Sequence, residues 1–172
     1  PRPVQRITVI FIQRRTMQEK RGIPMEIERK FTVRQLPEDL ARYDIHLIEQ
    51  GYLNTNPVVR VRREDDTYYL TYKGKGLMAR EEYNLPLNEQ AYNHLVAKAD
   101  GNIITKRRYL IPLPPYTIEL DVFIEPFAPL VIAEVEFPTE KEAEAFIPPE
   151  WFLEDVTFNP EYHNSTLSTK QF

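Results

Sequence analysis

The chain contains no cysteine among its 172 residues. This absence excludes disulfide bonds and thiolate chemistry, and it agrees with a reducing cytoplasm, which is the expected location. Histidine is also scarce. The three histidines, His46, His94 and His163, lack the spacing of zinc ligands. We interpret them as ordinary surface or core residues.

Long apolar runs and a strong excess of one charge are missing as well. The longest apolar run, ITVIFI at positions 7–12, is far too short to cross a bilayer. No small-residue cleavage site follows it, so a secretory signal is not expected. The net charge of -4 is close to balance and provides no bulk field that would attract nucleic acid or an anionic membrane. Neither is expected as a partner.

The composition changes near position 25. Residues 1–24 combine a short β-prone run with a basic polar stretch, whereas a regular strand pattern begins at Met25. We interpret residues 1–24 as a dispensable extension, either a leader or a non-native segment, although an extra strand there is an alternative. Residues 25–172 have the length of a single domain.

Short extended segments rich in Tyr, Val, Ile, Phe and Thr dominate this domain, and Gly and Pro separate them. The pattern predicts an α+β protein, mainly β, with a largely antiparallel sheet of eight strands, enough to close a barrel. Helices are expected near 37–43, 88–99 and 140–147, with a further helical turn in the tail. The strands are predicted near 25–34, 46–53, 57–64, 67–73, 80–87, 103–111, 116–124 and 131–138.

Charged residues occupy alternate positions in seven of these strands. In MEIERK, for example, Glu26, Glu28 and Lys30 share one face because successive side chains of a strand point to opposite sides. A half-exposed sheet with a polar outer face is the simpler explanation for any single strand. The alternating positions here are almost purely charged, however, and they segregate by strand, which favours a charged barrel interior. The acidic strands contribute Glu119, Asp121, Glu134 and Glu136, and the basic ones Arg60, Arg62, Lys73, Lys106 and Arg108, with Arg80 and Glu82 paired in another strand.

Such an interior has a definite chemistry. Clustered carboxylates suit a hard divalent cation such as Mg²⁺ or Mn²⁺. Facing lysines and arginines suit phosphates. An acidic wall opposite a basic wall therefore predicts a tunnel that holds a metal–polyphosphate, whereas a nucleic-acid surface would lack the acidic wall.

The order of these motifs resembles the CYTH superfamily, the triphosphate tunnel metalloenzymes. ExExK is followed by RxR, a strand ending in lysine, KxRY, ELD and EVEF, and the similarity covers roughly residues 25–168. The segments QGYL and DVTFNPEYHNSTL are similar to those of small bacterial inorganic triphosphatases. One departure is Asn84, which stands where many relatives have a second acidic residue.

The resemblance implies an eight-stranded, closed antiparallel β-barrel, open at both ends, with flanking helices. It implies metal-dependent hydrolysis of inorganic triphosphate to pyrophosphate and phosphate. A monomer or homodimer is expected, and the sequence does not distinguish the two. Lys30 and Tyr52 would be catalytic. Phosphates would be bound by Arg60, Arg62, Lys73, Arg80, Lys106 and Arg108, and Mg²⁺ or Mn²⁺ would be held or supported by Glu26, Glu28, Glu82, Glu119, Asp121, Glu134 and Glu136.

Several alternatives stay open from the sequence alone. The substrate could be an organic triphosphate, such as thiamine triphosphate or ATP, cleaved by a hydrolase or cyclase. The chain could also be a non-catalytic module that binds polyphosphate or a nucleotide. Lys30 could be a general base or a phosphate ligand, since neighbouring arginines lower its pKa and neighbouring carboxylates raise it. Tyr52 could be a packed strand aromatic instead of a catalytic group.

Overall fold

A computed structural model describes residues 23–172, so all but two residues of the predicted extension lie outside the described part. Eight antiparallel strands form a closed barrel, as predicted. Around the barrel the order is β1-β5-β4-β3-β2-β6-β7-β8, and β8 pairs with β1 to close it. The strands are β1 (Met25–Val33), β2 (Asp44–Thr55), β3 (Val58–Glu64), β4 (Thr67–Lys73), β5 (Ala79–Leu87), β6 (Asp100–Leu113), β7 (Tyr116–Phe123) and β8 (Val131–Glu136).

Helices lie between and after the strands, and their caps follow from the sequence. The helix α1 (Glu89–Val96) begins where the Asn88 side chain accepts a hydrogen bond from the Ala91 N–H. The helix α2 (Glu140–Ala145) begins with a capping box, in which Thr139 Oγ1 accepts from the Glu142 N–H at 3.1 Å. The predicted last helical turn is present as a 3-10 turn (Pro160–Tyr162) and α3 (Asn164–Leu167).

Two local expectations differ from the structure. The helix predicted at 37–43 is only a 3-10 turn (Leu40–Arg42), because Asp39 adopts a left-handed φ of 54° that interrupts helical geometry. A ninth short strand, β9 (Phe152–Asp155), was not predicted, and it pairs with the end of β1. Its four residues show no alternation of apolar and polar side chains.

The main hydrophobic core lies outside the barrel wall. Outward-facing residues of β1, β7 and β8, such as Phe31, Leu120 and Val135, are almost fully buried there. Ala143 of α2 and Phe152 of β9 cover them. Because apolar residues take the outward positions of these strands, the alternating charged residues face the interior.

A second core fills one end of the barrel interior, which we call the inner end. Inward-facing residues of five strands pack there with Val156 and Leu167 of the C-terminal segment. Gly101 allows this segment to approach closely, since its φ is +69° and a Cβ there would lie 2.2 Å from the Ser168 carbonyl oxygen. The resemblance implied a tunnel open at both ends, but the C-terminal segment covers this one. The inward-facing residues of this layer are Tyr52, Val58, Ile104, Phe123 and Ile132.

Candidate active site

The rest of the barrel interior is a charged cavity of about 860 Å³. At the end opposite the inner end it reaches the exposed β3–β4 turn, which we call the mouth. Nine carboxylates line the cavity against six lysine and arginine side chains. An anion entering this space is therefore repelled on balance unless cations accompany it. The carboxylates belong to Glu26, Glu28, Glu64, Asp65, Asp66, Glu82, Glu119, Glu134 and Glu136, and the cations to Lys30, Arg60, Arg62, Lys73, Arg80 and Arg108.

Arg108 is the centre of the acidic wall. Its Nε donates to Asp121 Oδ1 at 2.6 Å, and its Nη2 donates to Asp121 Oδ2 at 2.5 Å and to Glu134 Oε2 at 2.6 Å. Its Nη1 pairs with Glu119. Burial would lower the pKa of Arg108, but Asp121 and Glu134 outweigh it and raise that pKa further above its usual range. Arg108 therefore crosslinks three carboxylates of β7 and β8.

Lys30 lies between two carboxylates of the same wall. Its Nζ is 2.5 Å from Glu134 Oε1 and 2.9 Å from Glu28 Oε1, and its side chain is almost fully buried. Burial would lower the pKa of Lys30, but Glu134 and Glu28 outweigh it and raise that pKa. Burial would raise the pKa of the Glu134 carboxyl, but the positive charges of Lys30, Lys106 and Arg108 hold that pKa well below its usual range.

A second ion-pair group joins β1, β4 and β5. Lys73 pairs with Glu26, and its Nζ is 2.6 Å from Glu82 Oε2. Arg80 lies 3.4 Å from a carboxylate oxygen of Glu26. Asn84, the departure from the family pattern, donates from Nδ2 to Glu82 Oε1 at 2.6 Å. An amide at this position therefore adds a donor to the group where an acid would add charge.

Arg60 and Arg62 are the least neutralised cations of the cavity. Within residues 23–172, neither has a carboxylate oxygen within ion-pairing distance. Arg62 donates to Gln50 Oε1 at 3.1 Å and to the Tyr69 hydroxyl at 3.4 Å, both neutral groups. Arg60 is 5% exposed, and its Nε has no hydrogen-bond partner in the described part of the chain. These two guanidinium groups have donors to spare for a phosphate.

Two of the predicted site residues do not line the cavity. Lys106 and Asp121 share the inward faces of β6 and β7, but they are completely buried and pair with each other. Burial lowers the pKa of Lys106 to about 8, although Asp121 opposes this shift. Their predicted roles, in phosphate and metal binding, stay predictions.

Tyr52 combines the two roles that the sequence left open. Its ring packs in the apolar layer of the inner end, and the residue also lines the cavity. Its hydroxyl accepts a hydrogen bond from Gln50 Nε2 at 3.2 Å. Gln50 itself was not singled out from the sequence, although it shares the inward face of β2 with Tyr52.

His163 is a further cavity residue that sequence reasoning missed. It lies in the C-terminal segment between the last 3-10 turn and α3, and only 9% of its surface is exposed. Its Nε2 is 3.3 Å from the Thr157 carbonyl oxygen. No strand periodicity applies to this segment, so the sequence contained no signal that its side chain faces the cavity.

The carboxylates have the chemistry that a hard divalent cation prefers. Strand pairing brings Glu28 opposite Glu136 and Glu119 opposite Glu134, which places oxygen donors on neighbouring strands. Within residues 23–172, no three acidic or histidine side chains already converge as a metal site. Their oxygens are held by lysine and arginine side chains instead. These carboxylate oxygens are the type of ligand that Mg²⁺ and Mn²⁺ prefer.

Comparison with known proteins decides the family. The CYTH domain model matches residues 24–171, nearly all of the described chain. The chain belongs to the CYTH domain family. The CYTH match begins one residue before the predicted domain start at Met25 and includes every residue of the predicted site.

Two curated CYTH relatives have names that state an activity. An inorganic triphosphatase of Nitrosomonas europaea is 38% identical over 149 residues, covering 83% of this chain and 96% of the relative. An inorganic triphosphatase of Acetivibrio thermocellus is 37% identical over 148 residues, covering 83% of this chain and 92% of the relative.

Solved structures agree with the CYTH fold. A crystal structure of an inorganic triphosphatase matches with a TM-score of 0.64 and 35% identity, over 85% of this chain and 95% of that one. A protein of Pyrococcus horikoshii matches with a TM-score of 0.50 and 26% identity, over 69% and 82% of the two chains. Within residues 23–172, no helix is both long and apolar enough to cross a membrane.

Proposed function

We propose that this CYTH protein hydrolyses inorganic triphosphate to pyrophosphate and phosphate inside the barrel cavity. One observation supports this function most. Arg60 and Arg62, whose guanidinium groups have no carboxylate partner in the described part of the chain, lie in the same cavity of about 860 Å³ as a wall of carboxylates. The two inorganic triphosphatases to which the chain is similar support the same substrate. Residues 25–172 would be the catalytic unit, acting in the cytoplasm as a monomer or homodimer, and residues 1–24 would be dispensable.

The acidic wall would hold Mg²⁺ or Mn²⁺. A divalent cation there supplies charge that neutralises phosphate oxygens and offsets the acidic excess of the cavity. Asp121 is also in the proposed set, but it contacts Lys106 and Arg108 instead of lining the cavity. The proposed metal-holding and supporting residues are Glu26, Glu28, Glu82, Glu119, Asp121, Glu134 and Glu136.

The basic side chains would bind the phosphates in two ways. Arg60 and Arg62 would contact phosphate oxygens directly, because they have free donors and no carboxylate partner. The remaining cations, which are Lys73, Arg80, Lys106 and Arg108, are already in ion pairs and would act through their positive charge.

Lys30 and Tyr52 would act at the attacked phosphate. The ion pairs of Lys30 with Glu28 and Glu134 favour an ammonium that donates to a phosphate or water oxygen over a general base. The hydroxyl of Tyr52 would orient the attacking water from the inner end. Because the C-terminal segment covers that end, substrate would enter through the mouth, and its terminal phosphate would lie deepest.

This function is tested by measuring phosphate and pyrophosphate release from inorganic triphosphate, ATP and thiamine triphosphate in parallel. Each substrate is incubated with Mg²⁺, with Mn²⁺ and with EDTA. We expect fast release from inorganic triphosphate with a divalent cation, and none with EDTA. Faster turnover of ATP or thiamine triphosphate would mean that residues at the mouth select an organic triphosphate as the substrate. Tight binding of triphosphate without turnover would mean that the protein is a non-catalytic binding module.

A further inference from the structure

His163 is held in one orientation at the inner end of the cavity. Its Nε2 lies 3.3 Å from the Thr157 carbonyl oxygen. Thr157 is itself fixed to β1, because its Oγ1 accepts a hydrogen bond from the Lys30 N–H at 3.0 Å. The neighbouring Val156 N–H donates to the Lys30 carbonyl oxygen at 2.8 Å. The imidazole is thus tied to the strand position from which the Lys30 side chain extends into the cavity.

The hydrogen bond to Thr157 defines which ring nitrogen has the proton. A carbonyl oxygen only accepts, so Nε2 must be the donor. In a neutral imidazole the other nitrogen, Nδ1, then has a free lone pair. Burial is the main cause that lowers the pKa of His163, and the positive charges of Lys30 and Arg80 add to it. The hydrogen bond to Thr157 and the charge of Glu28 oppose this shift without outweighing it. The ring is therefore neutral at neutral pH.

The Nδ1 atom of His163 has no hydrogen-bond partner among residues 23–172. Among residues 23–172, the single hydrogen bond of this side chain is the one through Nε2. Nδ1 is not among the enclosed side-chain atoms that lack a partner. His163 is one of the residues that line the cavity.

The reaction proposed above needs a proton acceptor at this end. The attacking water must lose a proton as its oxygen bonds to phosphorus. The Lys30 ammonium has no lone pair while it lies between Glu28 and Glu134. The other histidine of the cavity, His46, lies at the mouth and pairs with Asp65 at 2.6 Å. His163 is the imidazole that lies where the terminal phosphate would be deepest.

We propose that His163 is a catalytic residue whose Nδ1 accepts the proton of the attacking water, an inference that rests on the proposed triphosphatase function. One O–H bond of the water breaks and its proton moves to Nδ1. The water oxygen bonds to the terminal phosphorus, and the bridging P–O bond breaks with its electron pair staying on pyrophosphate. The proton then leaves His163 for solvent or product, which returns the imidazole to its neutral form.

The discriminating variant is His163→Gln. Glutamine retains a donor that can reach the Thr157 carbonyl oxygen, but it has no basic nitrogen. We expect kcat for inorganic triphosphate to fall about 10²- to 10⁴-fold, the usual contribution of a general base, with KM and the melting temperature almost unchanged. His94→Gln is the matched control, because His94 is exposed on α1, and it should retain wild-type activity. Added imidazole should partly restore turnover to His163→Ala.

Three outcomes would overturn the inference. Wild-type kcat in His163→Gln would show that catalysis needs no basic nitrogen at this position. A nitrogen NMR spectrum with the proton of His163 on Nδ1 would contradict the proposed tautomer, whether or not the variants fold. Absence of turnover in the wild-type protein would contradict the triphosphatase function itself, and the His163 role with it. That result differs from an active wild-type enzyme whose turnover is unchanged by His163→Gln, which would contradict the His163 role alone.

Discussion

Arg108→Ala is expected to lower the free energy of unfolding by about 3–5 kcal/mol, the range found when one partner of a buried ion pair is removed. The reason is that Arg108 satisfies three carboxylates, of Glu119, Asp121 and Glu134, that are each less than a tenth exposed. Without the guanidinium, these charges would remain close together with fewer partners. Urea unfolding measured at neutral pH gives the difference directly.

Arg107→Ala is the control for Arg108→Ala. Arg107 is the preceding residue of β6, but its side chain is exposed on the outside of the barrel. We expect this variant to lose less than about 0.5 kcal/mol, as surface substitutions usually do. Equal stabilities of the two variants would mean that the Arg108 ion pairs contribute nothing measurable to folding.

Arg60→Ala is expected to weaken triphosphate binding about 10- to 150-fold, with little loss of stability. A hydrogen bond to a charged group contributes about 1.5–3 kcal/mol, and 1.4 kcal/mol corresponds to a factor of ten in Kd. Arg60 is buried, has an Nε without a partner and has no carboxylate partner in the described part of the chain, so removal of its charge leaves no protein carboxylate unpaired. Calorimetry with Mg²⁺ and a non-hydrolysable triphosphate analogue measures the affinity without turnover.

Arg63→Ala tests whether the effect is specific to the cavity. Arg63 is on the same strand, but it is exposed outside the barrel, where it donates to the Asp65 carbonyl oxygen. Its substitution changes the net charge by the same amount and should leave Kd within about twofold, since exposed charges are screened by salt. Equal Kd values for Arg60→Ala and wild type would remove Arg60 from the phosphate-binding set.

The charged interior was predictable because strand geometry has a period of two. Once Glu26, Glu28 and Lys30 occupied alternate positions, they had to share a face, and the apolar residues between them identified the opposite face as the one that packs outside. The same reasoning placed Arg60 and Arg62 on one wall and Glu134 and Glu136 on the other. The closed barrel followed from the strand count and from the family resemblance, and the structure confirms it.

Which charges meet depends on the register of strands that are distant in sequence. Arg108 and Glu134 are 26 residues apart and lie on β6 and β8, which flank β7, so their ion pair follows from the registers of these three strands and not from any local pattern. The ion pair between Lys106 and Asp121 depends on the register of β6 and β7 in the same way. The position of His163 depends on how the C-terminal segment packs across the inner end, where no strand period applies.

The central claim is that triphosphate is hydrolysed inside this cavity, at Lys30. The most direct measurement is the steady-state rate of phosphate release from inorganic triphosphate with Mg²⁺ by Lys30→Met, compared with Lys98→Met, whose lysine is exposed after α1. Circular dichroism shows whether both variants are folded. Removing one positioned donor to a developing charge costs about 10²- to 10³-fold in kcat, so we predict a loss of that size for Lys30→Met and none for Lys98→Met. A folded Lys30→Met protein with the wild-type rate would contradict the claim.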